Sequence, residues 1–256
     1  MSFPNLKNKH KEAALLTPQK YLDYLKKRGK YPDYKPPKGV ILLFQKELLE
    51  YIIKNHEIEK VSGFHGDFYL LKETNNRIGV LGNFGWGAPV VVILLEQLIA
   101  FGVKEFISVG IAGSLQKDLG VGSIIICDKA IRDEGASHHY IKSSKYSFAS
   151  KTLTKKIEEA LTRFSLEYSV GTTWTIDTPY RETITEVKQY QKEGVLTVDM
   201  EASAIFSVAE YRGVEAGSIF TISDYLAELE WELKFHLTKD HLETLFQVAK
   251  EVLLDS

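Results

Sequence analysis

The sequence predicts an α/β fold: a single domain with a mostly parallel central mixed sheet, flanked by helices on both faces. Three observations predict it. Short apolar runs recur from residue 40 onward, as buried strands require. They alternate with longer segments whose apolar residues follow helical spacing, which is the pattern of a helix-covered parallel sheet. Small or polar residues follow several of the runs, where sites gather in such folds.

The elements follow in order. Residues 12–28 read as a helix, with Leu15, Leu16, Tyr21, Leu22 and Leu25 apolar and Pro18 suited to a first turn. A linker rich in proline and tyrosine covers 29–38, so 1–38 is expected to be a helical arm and linker, and 39–256 the main domain. Strands are predicted at 40–44, 60–64, 68–73, 78–81, 106–109, 124–127, 167–172, 196–198 and 216–222. Helices are predicted at 48–54, 89–101, 153–164, 181–192, 202–212 and 233–254.

Bulk properties narrow the function classes. A chain of 256 residues with 44% apolar and 26% charged content is that of an ordinary soluble protein. The net charge of −2 gives no electrostatic case for binding a nucleic-acid backbone. The polar, lysine-rich first residues do not resemble a signal peptide, and no apolar stretch is long enough to cross a bilayer. Cys127 is the single cysteine, which suits a reducing compartment. The expectation is a cytoplasmic protein that binds neither membrane nor nucleic acid.

Four segments carry candidate chemistry: Gly82-Asn83-Phe84-Gly85-Trp86-Gly87, the stretch 110–114, Asp199-Met200-Glu201, and Ser223-Asp224. Glycine after a strand lets backbone N–H groups approach a ligand, although the first loop also reads as a plain tight turn. It lacks the lysine of a Walker loop and the spacing of a dinucleotide fingerprint. A carboxylate at 199–201 can accept hydrogen bonds from a vicinal diol, and Met200 can lie against a sugar face. The competing reading has Asp199 capping a helix. Asp224 can act as a general acid or, again, as a cap. His138 and His139 have no third ligand at a metal-like spacing, so no metal or cofactor is expected.

Together these segments resemble the nucleoside phosphorylase superfamily, the uridine phosphorylase branch in particular. One carrier is the stretch 85–140, with its glycine turn, its Gly110-Ile111-Ala112-Gly113 segment and its Arg132-Asp133-Glu134-Gly135-Ala136-Ser137 segment in family order. The other is 194–224, where Met200-Glu201 matches the family's ribose motif and Ser223-Asp224 its purine motif. The resemblance implies that Glu201 grips ribose hydroxyls, that Met200 lies beneath the sugar, and that Asp224 donates a proton to N7 of a leaving purine. It places Gly85 and Gly113 on the substrate wall and implies a homo-oligomer, with His10 a candidate for lending to a neighbour's site.

The phosphate site departs from the family pattern. Glu47 stands about where a family arginine belongs, Ser108 and Gly66 replace two others, and Ile111 replaces a hydroxyl residue. The pyrimidine-reading Gln-x-Arg pair is absent, and Trp174, Tyr180 and Arg181 are the candidates to contact the base. These substitutions resemble the nucleosidase branch, in which a glutamate after the first strand activates water. The expectation is therefore N-glycosidic cleavage of a nucleoside, a purine preferred, with water as nucleophile and Glu47 as base. The alternative is phosphorolysis, with phosphate as a second ligand. A further alternative is a nucleoside-binding protein without catalysis, though such a protein has no need of the acid Asp224.

Overall fold

The computed structural model describes residues 6 and 9–255. Its first regular helix, α1 (Pro18–Lys27), starts at the predicted proline, with the Thr17 hydroxyl accepting the Lys20 N–H at 3.2 Å. Residues 12–17 are not helical. Proline disfavours helical geometry in the residue before it, and Thr17 is extended at φ −122° and ψ 146°. Leu22 and Leu25 bury the inner face of α1 against Phe101.

The described residues form one mixed sheet of eleven strands. In chain order they are β1 (Gly39–Leu43), β2 (Ile58–Val61), β3 (Asp67–Leu71), β4 (Ile78–Gly82), β5 (Glu105–Ser114) and β6 (Ile124–Asp133). There follow β7 (Tyr146–Phe148), β8 (Ser169–Ile176), β9 (Thr197–Asp199), β10 (Glu215–Tyr225) and β11 (Glu232–Leu233). The remaining helices are α2 (Lys46–Asn55), α3 (Ala88–Phe101), α4 (Lys151–Arg163), α5 (Ile184–Lys192), α6 (Ala202–Arg212) and α7 (Lys239–Leu254).

The pairs β1–β4, β1–β5, β5–β10, β6–β8 and β8–β9 are parallel. The hairpin strands β2 and β3, and the contacts β6–β10 and β5–β9, are antiparallel. Because β5 pairs with β9 as well as β10, the strands β5, β10, β6, β8 and β9 close into a ring.

Strand alternation explains the two layers of helices. Side chains along a strand point to opposite faces, and here both faces are covered. Val40 and Leu42 join a core with α3 and α6, while Ile41 and Leu43 join one with α2, α4 and α7. Ile125 and Cys127 divide from Ile124 and Ile126 in the same way. A third cluster forms around Trp174, Ile131, Val187 and Val198 on the ring.

Three further differences from the sequence reading bear on the site, two from strand pairing and one from a local cap. The strand predicted at 106–109 runs on through 110–114, because β10 and β9 pair with that stretch on its two sides. Residues 232–233 form β11 against Asp224 and Tyr225, so the last helix begins at Lys239 instead of 233. The helix read from 181 begins at Ile184, where Thr183 and Glu186 make a reciprocal capping box.

A candidate active site at the strand ends

The carboxyl ends of β1, β4, β5, β9 and β10 surround a cavity of about 1280 Å³. Glu201, Asp224, Glu47, Met200, Gly85, Gly113 and Tyr180 all line it. The structure thus brings together the expected ribose, base and nucleophile residues from segments far apart in the chain.

At the end of the cavity expected to take ribose, two carboxylates divide the labour. Asp199 ends β9 and is buried. Its carboxylate accepts the Thr175 hydroxyl at 2.6 Å and the N–H groups of Glu201 and Ala202 at 3.0 and 2.7 Å. Those bonds satisfy free donors at the start of α6. Asp199 therefore takes the capping role, and Glu201 is left to face the cavity. Glu201 Oε1 accepts the Gly87 N–H at 2.7 Å, which ties this carboxyl to the glycine loop after β4. Gly85 and Gly87 have φ of +93° and +95°, the left-handed region that glycine tolerates. Burial, reinforced by the charge of Asp199, pushes the Glu201 carboxyl up to about 8.

The position of Asp224 depends on an irregularity in β10. Ala112 pairs with Ile222, but Gly113 pairs with Asp224, so Ser223 is an extra residue in the ladder. A bulge of this kind re-aims the side chain that follows it. The Ser223 hydroxyl donates to Asp224 Oδ1 at 2.6 Å, and the Trp231 indole N–H donates to Oδ2 at 2.8 Å. Gly113 makes the approach possible. A Cβ there would lie 2.7 Å from Leu226 Cδ1, 3.0 Å from Val198 Cγ1 and 3.2 Å from Asp224 Oδ2. Trp231 stands edge-to-face with Tyr180, ring centroids 6.3 Å apart. The sequence reading named Tyr180 but missed Trp231, which sits in the irregular segment between β10 and β11 where no periodicity marks it.

Glu182 is a second residue that the sequence reading missed. It lines the cavity immediately before the α5 cap, and its carboxyl is pushed up to about 7 by burial, then by Asp224 and Glu186.

Two expected base contacts are corrected. Trp174 is fully buried and points away from the cavity; its indole N–H donates to Asp133 at 2.9 Å and its ring packs on Tyr190. The cause is strand alternation on β8, which turns Thr173 and Thr175 toward Asp199 and sends Trp174 into the third core cluster. Arg181 is exposed and borders a separate depression with Asp133, Thr183 and Glu186. The Arg132–Ser137 segment is likewise scaffold: Arg132 holds the loop at 141–144, and Glu134 accepts from Ser137 N–H and the Ser203 hydroxyl.

Glu47, the expected base for the nucleophile, lies exposed in the first turn of α2. Among the described residues no arginine lines the cavity; its cationic side chains are Lys46 and Lys239, with His236 beside them. Ser108 is buried and hydrogen-bonded to Ser218. Gly66 has φ +91°, and a Cβ there would meet Gly82 O at 2.7 Å, so no side chain is accommodated without movement. His10 does not line the cavity of its own chain.

A ringed mixed sheet between two helical layers, with paired acids at its strand ends, defines an α/β enzyme class. The chain matches the family model described as Phosphorylase superfamily over residues 38–254, and it belongs to that family, the nucleoside phosphorylase superfamily. It is 32% identical over 210 residues to a protein of Bacillus cereus named purine nucleoside phosphorylase DeoD-type, covering 81% of this chain and 85% of that one. A Bacillus mycoides protein of the same name matches to the same extent. The crystal structure of uridine phosphorylase from Vibrio fischeri superposes with a TM-score of 0.70 at 26% identity, covering 87% of this chain and 92% of that one. The same enzyme complexed with 6-hydroxy-1-naphthoic acid gives a TM-score of 0.72 at 27% identity, with 87% and 91% covered. Among the described residues no helix is long and apolar enough to cross a membrane.

Proposed function

We propose that this chain cleaves the N-glycosidic bond of a purine nucleoside by phosphorolysis, in nucleoside salvage or catabolism. The observation that carries the reading is the meeting of Glu201 and Asp224 in one cavity, in a chain whose relatives are named purine nucleoside phosphorylases. Glu201 has one oxygen committed to Gly87 and the other available to ribose hydroxyls. Met200 lies along the sugar, and Tyr180 and Trp231 offer ring surface to the base. As the bond from C1′ to the base breaks, its electron pair passes to the base, and a proton from Asp224 at N7 makes the base a neutral leaving group. A positioned acid of this kind contributes roughly 10²–10⁴-fold. Phosphate then bonds to C1′, giving ribose 1-phosphate, with Lys46 and Lys239 as its cationic partners.

The relatives favour phosphate over the water that the residue pattern alone favours. Hydrolysis remains a second reading because of one specific observation: no arginine lines the cavity among the described residues, and Glu47 occupies the nucleophile end. In that reading Glu47 takes a proton from water as it attacks C1′, and the products are ribose and the base. The test is release of free base from a nucleoside panel in phosphate-free buffer and again with added phosphate, with ribose 1-phosphate followed in parallel. Strict dependence on phosphate with ribose 1-phosphate as product is expected. Equal release in both buffers with free ribose would establish the hydrolytic reading, and no release from any nucleoside would leave a binding protein.

A further inference from the structure

A small hairpin delivers Trp231 to Asp224. Strand β11 pairs with the end of β10, Leu233 opposite Asp224 and Glu232 opposite Tyr225. The Lys234 N–H donates to Ser223 O at 3.0 Å, which carries the pairing past the bulge. The connection between the two strands is tied down as well. The Leu226 N–H donates to Ser114 O at 2.9 Å, and the Gln191 side-chain amide donates to Ala227 O at 2.9 Å. Trp231 stands immediately before β11, and its indole N–H reaches back to Asp224 Oδ2 at 2.8 Å. The ring lines the cavity and is 53% exposed, so its place is not that of a core residue.

The two hydrogen bonds on Asp224 are not equivalent. An indole N–H only donates, whereas a serine hydroxyl donates or accepts. The Ser223 hydroxyl has both Asp224 Oδ1 at 2.6 Å and Ala112 O at 3.5 Å within reach, so it can turn from one to the other. A protonated carboxyl has one oxygen that carries the hydrogen and one that only accepts. The indole takes the accepting oxygen, Oδ2, and leaves the proton to Oδ1. When that proton passes to N7, the electron pair of the glycosidic bond passes to the base and Asp224 becomes a carboxylate. Trp231 and Ser223 then both donate to it, and a hydrogen bond to an ionised acceptor is stronger than one to a neutral acceptor. The indole bond thus strengthens as the base departs, which is the condition for lowering the barrier. Asp224 is buried, so water is a poor substitute for either donor.

We propose that Trp231 is a positioning residue for the acid: its indole N–H fixes the orientation of the Asp224 carboxyl and keeps the transferable proton on Oδ1 for N7 of the base. The proposal rests on the purine cleavage reading given above, and it makes the N–H of Trp231, beyond the surface of its ring, part of the site. A hydrogen bond to an ionised group is worth roughly 10-fold or more in rate.

The experiment has two arms, run on the full chain and on the Trp231→Phe and Trp231→Ala variants after their melting temperatures confirm folding. One arm measures kcat and KM for adenosine, for inosine and for a nitrophenyl riboside, whose leaving group needs no proton. The other measures calorimetric affinity for adenine and hypoxanthine, each against its 7-deaza analogue, which lacks the N7 acceptor; it needs no turnover. Trp231→Phe keeps a ring and drops the N–H. It is expected to lower kcat on the purine nucleosides by roughly 10-fold, with KM and the riboside rate held within roughly 3-fold. The wild type is expected to bind the N7 base roughly 10-fold more tightly than its 7-deaza analogue, and Trp231→Phe to bring that ratio within roughly 3-fold. Trp231→Ala is expected to raise KM as well, because the ring surface goes with the N–H. Unchanged kcat on the purine nucleosides in Trp231→Phe, or equal losses on purine and riboside, would overturn the proposal and leave the cleavage reading standing. A preference for the N7 bases that depends on Trp231, with no base released from any nucleoside, would support the positioning role and refute cleavage. A wild type that releases base from pyrimidine nucleosides alone and shows no preference for the N7 bases would overturn both.

Discussion

Glu201 shows how a single residue is tuned by its surroundings. A glutamate in the unfolded chain loses its proton near its ordinary value of 4.5, whereas the folded cavity holds it up to about 8. Between those values the folded state binds the extra proton, so this residue's contribution to stability is fully present below the ordinary value and is lost as pH rises toward 8. Ribose hydroxyls donate to the ionised form, so nucleoside binding releases that proton and tightens over the same window. Melting curves and nucleoside affinity measured across pH should therefore show opposite slopes in the wild type, and Glu201→Gln should flatten this component of both. The same slopes in the variant would remove Glu201 from the ribose site. The residue-scale legibility of the site follows from this geometry. Met200-Glu201 and Ser223-Asp224 are contiguous pairs at strand ends, so they stand out in a sequence. Glu182 and Trp231 reach the same cavity from loops without periodicity, and only the folded chain brings them to Asp224.

At the scale of elements, the junction of β5, β9 and β10 places the acid. Gly113→Ala would push a methyl group against Leu226, Val198 and Asp224 together. Overpacking of that kind costs about 1–3 kcal/mol of stability, and the displaced Asp224 should lower kcat more than it raises KM. Steady-state kinetics beside a denaturant melt checks both effects, and a variant with unchanged kcat would mean that Gly113 does not set the position of Asp224. Trp174 on β8 gives the opposite case. Trp174→Phe removes its bond to Asp133 and should cost about 1 kcal/mol of stability while leaving the nucleoside KM unaltered. A large rise in KM would return Trp174 to the base site. The sequence placed most strands and helices because buried apolar runs and helical spacing are local signals. It shortened β5, β6 and β10, whose ends are prolonged by pairing with partners far along the chain. It overextended α7 because Leu233, Phe235 and Leu237 carry on the apolar character of the helix into residues that pair with β10 or form a single tight turn.

At the scale of the whole molecule, the cavity draws its walls from β1, β4, β5, β9 and β10 and from the starts of α2 and α7, so ligand binding should be linked to global stability. A nucleoside held at 100 times its dissociation constant should stabilise the fold by about 2.7 kcal/mol, read as a concentration-dependent rise in melting temperature. A panel in which no nucleoside moves the transition would count against the cavity as a nucleoside site. The central claim is that one cavity grips ribose at Glu201 and protonates the leaving base at Asp224. Its most direct test is kcat/KM for a natural purine nucleoside and for a nitrophenyl riboside in the wild type, Glu201→Gln and Asp224→Asn. The riboside shares the sugar but departs without needing a proton. The account predicts that Glu201→Gln loses roughly 100-fold or more on both substrates, about 3 kcal/mol of transition-state stabilisation. It predicts that Asp224→Asn loses activity on the purine nucleoside while the riboside is largely spared. Wild-type kinetics in Glu201→Gln, or equal losses on both substrates in Asp224→Asn, would contradict it.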